Sequence, residues 1–117
     1  MGKEESLSVI IEVYEDRNSA LQTDAVRALA SWPNAKPMEY LLSIAGTSSD
    51  ENQKVLALRG FISQIGLADE LSDMERLDRY KTAMNMAANV NEKRMALSGI
   101  GELKTREAMQ IAQDLFL

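Results

Sequence analysis

Neither histidine nor cysteine occurs among the 117 residues, and this narrows the chemistry open to the chain. Histidine is the side chain best suited to moving protons near neutral pH and the commonest metal ligand, so most hydrolytic and metal-assisted schemes lose their central part. Without a thiol there is no disulfide, no thiolate metal site and no cysteine nucleophile. The serines and threonines have no imidazole to activate them, and no Ser-x-x-Lys spacing offers a lysine in its place. Adjacent carboxylates stand at Glu4 and Glu5, Glu15 and Asp16, Asp50 and Glu51, and Asp69 and Glu70. Acid/base catalysis needs two carboxyls converging on one cleft with separated pKa values, whereas neighbours in a helix point in different directions. Acidic residues flanking a helix start are favourable for a simpler reason, the partial positive charge of that end. "GIGEL", Gly99 to Leu103, holds two spaced glycines but follows no strand, so it does not read as a phosphate loop. No loop alternates oxygen ligands in the manner of an EF-hand. No catalytic residue, cofactor or metal set is expected.

The side chains that remain must be positioned by helices. Period-two alternation and hairpin dipeptides are lacking, while apolar residues recur at i, i+3, i+4, i+7 almost throughout. Leu7, Ile10, Ile11 and Tyr14 form one stripe, and Leu21, Ala25, Ala28, Leu29 and Trp32 a second. Met38, Leu41, Leu42 and Ala45 form a third, and Val55, Leu58, Phe61, Ile62 and Ile65 a fourth. Leu77, Tyr80, Met84 and Ala87 follow, then Ala96, Leu97, Ile100 and Leu103, then Ala108, Ile111, Ala112 and Leu115. About seven short antiparallel helices are expected, joined by connections of roughly two to eight residues.

Punctuation agrees with the stripes. Pro37 suits a first helical position, and Gly46 and Gly66 are placed to close helices in the left-handed conformation. Ser72 with Glu75 has the spacing of a capping box, and Asn91 and Thr105 suit N-caps. Trp32, followed by Pro33, is expected to end the second helix in an apolar column rather than to stack on a ligand. Met74, Met84, Met86, Met95 and Met109 are read as fillers of an irregular core rather than as a docking groove.

The segment "ALASW" at Ala28 to Trp32 returns as "ALRGF" at Ala57 to Phe61 and as "ALSGI" at Ala96 to Ile100, at offsets of 29 and 39 residues. Each copy places a very small residue (Ser31, Gly60, Gly99) before a large apolar one (Trp32, Phe61, Ile100). A glycine inside a helix costs about 1 kcal/mol relative to alanine, so its return calls for a reason, and close approach of a neighbouring helix is the simplest. The longer second interval falls in "GLADELSD", a connection, where stacked repeats accept insertions.

"DAVRALASWPNAKPMEYLLSIA", "KVLALRGFISQIG" and "EKRMALSGIGELKTREAMQIA" together resemble HEAT repeats of the short bacterial, phycobilisome-lyase-like type, across Asp24 to Ala112. The Asp-Pro opening of that pattern is missing, and Arg27 falls opposite Leu56 and Met95 rather than on a column of arginines. The resemblance implies an all-α fold, a right-handed α-α superhelix of helix pairs working as a scaffold or binding surface. Residues 1–117 then make a single HEAT-like domain of about three and a half repeats. The apolar Leu115, Phe116 and Leu117, where a terminal repeat would be polar, lead to the expectation of a fragment of a longer protein.

In such arrays the second helix of each pair lines the concave face. Asp24, Arg27, Gln53, Arg59, Glu92 and Arg94 lie on or near polar columns there and are the expected partner contacts. The partner is expected to be a protein or a neighbouring domain of the same chain. A net charge of −5 repels phosphate backbones, so nucleic acid is not expected. No stretch approaches the roughly 20 apolar residues of a membrane span. The expected function is a non-catalytic interaction or spacer module. An enzyme-accessory role like that of the bilin lyases is the alternative, followed by nucleic-acid binding. Localisation and oligomeric state are left open by the sequence.

Overall fold

Residues 3–16 and 20–103 are described by a computed structural model, and among them every regular element is an α-helix. In chain order these are α1 (Lys3–Glu15), α2 (Gln22–Ala30), α3 (Met38–Thr47), α4 (Glu51–Leu67), α5 (Asp73–Met86) and α6 (Val90–Glu102). The expected seventh helix, with Ala108, Ile111, Ala112, Leu115, its cap Thr105 and Met109, lies outside the described residues. None of the described helices is long and apolar enough to cross a membrane.

Local chemistry explains where several helices begin. Asp50 Oδ1 accepts from the backbone N–H groups of Asn52 at 2.8 Å and Gln53 at 3.2 Å, which starts α4. A cap of this kind stabilises a helix by about 1 kcal/mol. The capping box of α5 is complete: Glu75 N–H donates to Ser72 Oγ at 3.1 Å, and Ser72 N–H to Glu75 Oε1 at 3.1 Å. At α6 the cap position belongs to Asn89, whose side chain makes no capping bond, and Asn91 sits inside the helix. Pro37 takes the cap position of α3 rather than its first turn.

Three expectations are corrected. Gly46 and Gly66 lie within α3 and α4, and no described residue has a positive φ, so both helices continue through their glycine instead of closing on it. The second helix stops at Ala30. Proline disfavours helical geometry in the residue before it, so Trp32, preceding Pro33, leaves the ladder, with its N–H on the Leu29 carbonyl at 3.2 Å. It is half-buried, whereas Phe61 and Ile100 are fully buried; the inward positions of α2 belong to Val26 and Leu29. Leu21, placed in the same stripe, precedes the helix and is exposed.

One continuous core joins Val26 and Leu29 to Leu41 and Ile44 of α3, Phe61 and Ile65 of α4, Leu77 and Tyr80 of α5, and Ile100 of α6. Helix α1 packs on α2, α3 on α4 and α5 on α6, while α4 also touches α2, α5 and α6. Helix α4 buries Leu58, Phe61, Ile62 and Ile65 together with Gln53, Gly60 and Gln64, so it carries apolar surface on more than one side. Such a helix belongs in the middle of a fold. Met84, Met86 and Met95 pack against the core and Met38 lies within it, but Met74 is exposed.

The two repeated glycines mark close approaches. A Cβ on Gly60 would stand 2.5 Å from Ala30 Cα, and one on Gly99 2.3 Å from the Tyr80 ring. The third member of that set, Ser31, is exposed just beyond α2.

Candidate interaction face

Helices α2, α4 and α6 carry the six polar residues expected to meet a partner, and the structure sorts them into three groups. Arg59 links Arg27, with which it shares a cleft, to Glu92, with which it pairs. Arg27 and Arg59 line one cleft of about 490 Å3 between α2 and α4, with Thr23, Asn52 and Asn89 on its walls. Arg59 Nε donates to Glu92 Oε1 at 2.7 Å, which ties α4 to the first turn of α6. Arg59 is 47% exposed and Glu92 1%. The pair is therefore a buried carboxylate held by a cation that still reaches water.

Gln53 is turned inward. It is buried, accepts from Ser48 Oγ at 2.9 Å, and donates from Nε2 to Gln22 Oε1 and Thr23 Oγ1, both at 3.3 Å. Gln22 passes the chain of bonds on by donating to the Tyr14 carbonyl at 2.7 Å. A buried amide must find partners because an unmade hydrogen bond costs more than a made one gains. Gln53 is thus a bridge linking α4 to α2, and it also lines a cleft of about 730 Å3 beside Tyr14 and Tyr40.

Asp24 and Arg94 stand apart from the cluster. Asp24 is exposed in the first turn of α2. Arg94 is exposed and lines a separate shallow cleft with Ser63, Tyr80, Ser98 and Gly99. Spacing alone could not separate these cases, since which polar position a junction swallows depends on the helix opposite.

Sequence reasoning passed over a larger cleft, about 730 Å3, where α1 and α3 meet. Tyr14 and Tyr40 form one wall, edge to face at 6.0 Å and 86°, and Ser43, Thr47 and Ser49 supply hydroxyls. Burial, then the Glu15 carboxylate, then Tyr14 push the Tyr40 hydroxyl above its ordinary pKa, so it is a neutral donor at physiological pH. Of its lining, the sequence singles out Tyr14 in the first stripe, Gln53 on a polar column and Glu15 in a carboxylate pair, with nothing to join them.

The carboxylate pairs with described side chains do not converge on one cleft: Glu15 lines the cleft of Tyr14 and Tyr40, and Glu51 lines another beside α4. Asp50 caps α4, while Glu51, Asp69, Glu70, Glu15 and Asp16 are exposed. Among the described residues no three acidic side chains gather as a metal site would require. Comparison with protein-family models, with curated proteins and with solved structures gives no match.

Proposed function

We propose that the chain is a HEAT-like α-solenoid, right-handed, and that it serves as a non-catalytic protein-interaction or spacer module within a larger protein. The observation that carries this is the stacking of the repeated segments: α4 packs against both α2 and α6, so Ala28 to Ala30 of "ALASW" and the whole of "ALRGF" and "ALSGI" lie on three neighbouring helices. Each of those helices also pairs with the one before it, as a row of helix pairs requires. Extents of 46 × 31 × 16 Å support a slab rather than a sphere. Arg27 and Arg59, exposed on two of these helices, offer a basic pair to a partner, with the buried Glu92 holding Arg59 in place.

The test is site-directed photocrosslinking from Arg27 and, as a control, from the exposed Asp78 of α5, in cells carrying the full-length gene. One defined protein or domain joined at Arg27 and absent at Asp78 is the expected result. A screen of metabolites by thermal unfolding tests the enzyme-accessory alternative. A ligand that binds only the folded state raises stability by RT ln(1 + [L]/Kd), so one compound giving a large, reproducible rise in Tm would overturn the scaffold assignment.

A further inference from the structure

Glu92 is almost wholly buried, yet only one of its oxygens is satisfied. Oε1 accepts from Arg59 at 2.7 Å, while Oε2 is closed off from solvent and has no hydrogen-bond partner among the described residues. A carboxylate can accept about four hydrogen bonds, and a buried charge left half-paired is costly. Native structures keep few such groups, and each calls for an explanation.

Glu92 also helps line a second cleft, about 500 Å3, which shares Asn52, Val55 and Asn89 with the cleft beside Arg27. Its other walls are mixed: Ala45, Val55, Leu58, Met86 and Ala88 are apolar, Asn52 and Asn89 bring amide groups, and Glu51 and Lys54 carry charge. Glu51 stands at the exposed rim, where it meets Lys54 at 3.9 Å, an i, i+3 pair on the surface of α4. Glu92, with one carboxylate oxygen unused, stands in the lining of a cleft that also offers apolar wall, and these are the two features a receptor for a cation on an aliphatic stem requires.

We infer that this cleft receives a lysine side chain from a basic segment of a partner protein, its ammonium on Glu92 Oε2. Lysine fits better than arginine. The ammonium is a compact donor that can serve a single oxygen, whereas the flat guanidinium seeks two acceptors side by side, and Arg59 already holds Oε1. The four methylenes of lysine would lie along Leu58, Val55 and Met86, as such stems do on apolar surface. Met86, unbranched and adaptable, is the wall best able to move aside. The net charge of −5 draws a basic segment toward the chain from a distance. The inference rests on the protein-interaction assignment and adds to it the chemistry of the partner.

The experiment titrates hexalysine into the 15N-labelled chain at about 0.15 M salt, where the Debye length of ~8 Å screens diffuse attraction. Hexa-arginine, Nε-acetylated hexalysine and 1,5-diaminopentane run in parallel. Hexalysine should shift the amide signals of Met86, Val90 and Glu92. Glu92→Gln should weaken binding at least tenfold, acetylation should abolish it, and Glu51→Gln should change it less than threefold. Ala88→Trp places a bulky ring on an exposed position of the cleft wall while leaving Glu92 intact, and it should weaken binding as much as Glu92→Gln does; it decides the matter if Glu92→Gln does not fold. Binding unaffected by both variants, shifts spread evenly over the acidic surface, or equal binding of hexa-arginine would overturn the inference. If hexalysine fails while Arg27 still crosslinks to a defined protein, only the lysine receptor falls. If 1,5-diaminopentane binds as tightly as hexalysine, the cleft is a small-amine site, and the interaction assignment loses its support as well.

Discussion

Gly60 and Gly99 occupy the same place in two copies of one repeated segment, yet they close different kinds of junction. At Gly60 the obstacle is backbone: Ala30 Cα lies 2.5 Å and Ala30 Cβ 2.6 Å from where a side chain would begin. At Gly99 the obstacle is the Tyr80 ring, at 2.3 Å. The first contact joins α4 to a helix of the neighbouring pair, the second joins α6 to its own partner α5. Backbone against backbone fixes a spacing that nothing but rigid movement of a helix can change, whereas a ring can turn or be replaced. The junction between pairs is therefore the stiffer of the two.

The sharpest way to break this contrast is to give each glycine a methyl group. Gly60→Ala is expected to cost about 3 kcal/mol, at the upper end of overpacking, even after the gain in helix propensity. Gly99→Ala should cost about 2 kcal/mol. Urea unfolding of each variant measures both. The second loss should be largely recovered by adding Tyr80→Leu, whereas Ala30→Gly should recover only part of the first, because Ala30 Cα remains in the way. Full recovery in both double mutants would show that the two junctions yield alike.

The polar bonds across these junctions differ in the same sense. Between α2 and α4 they are neutral: Gln53 meets Gln22 and Thr23, and Gln64 Nε2 donates to the Leu29 carbonyl at 2.8 Å. Between α4 and α6 the bond is ionic, Arg59 to Glu92. Arg59→Met leaves a buried carboxylate without its cation. Removing one partner of a fully buried pair costs roughly 3–5 kcal/mol, and the half-exposed setting of Arg59 lowers the expectation to about 2 kcal/mol. Double substitution with Glu92→Leu should restore most of it, as measured by the same unfolding experiment.

Glycines that touch nothing give the opposite sign. A Cβ on Gly66 would meet only Tyr80 Oη at 3.8 Å, and Gly101 has open space around it. Both lie in helices, so Gly66→Ala and Gly101→Ala should each stabilise by about 0.5–1 kcal/mol. A rise in Tm for these two beside a fall for Gly60→Ala would separate propensity from packing within one residue type.

How far the sequence could lead is visible in the same residues. Helix existence was legible because apolar spacing is local, and so was the Ser72–Glu75 box, whose partners are three residues apart. The return of glycine in "ALRGF" and "ALSGI" pointed to close contacts, which exist, but not to what lies opposite: Ala30 in one case, Tyr80 in the other. The end of α2 was misplaced because the apolar period runs on to Trp32 while Pro33 stops the backbone sooner. Gly46 and Gly66 looked like closures since glycine often ends helices, yet here the neighbouring turns carry the ladder past them. At the candidate face, Arg59 and Glu92 could be named singly. Their pairing, 33 residues apart, and the inward turn of Gln53 depend on which helix stacks on which, and no short-range pattern records that.

Alkaline titration probes the Tyr80 junction without any change of packing volume. Burial is the main cause that pushes the Tyr80 hydroxyl above its ordinary value, the Glu102 carboxylate adds to it, and Arg76 opposes. A folded-state pKa above the unfolded one means that the unfolded chain gives up its proton first. Stability is then unaffected below the ordinary tyrosine value of about 10 and falls as pH rises from there toward the raised folded value. Tyr40, raised by burial and then by Glu15, contributes with the same sign at the α1–α3 end. Tyr80 is buried in the core cluster whereas Tyr40 packs at its edge, so Tyr80→Phe should remove more of the alkaline loss than Tyr40→Phe. Urea unfolding at pH 8 and again above 10 for the three chains measures this. An equal loss in all three would mean that the ring against Gly99 reaches water as freely unfolded as folded, and that the junction is looser than its 2.3 Å approach implies.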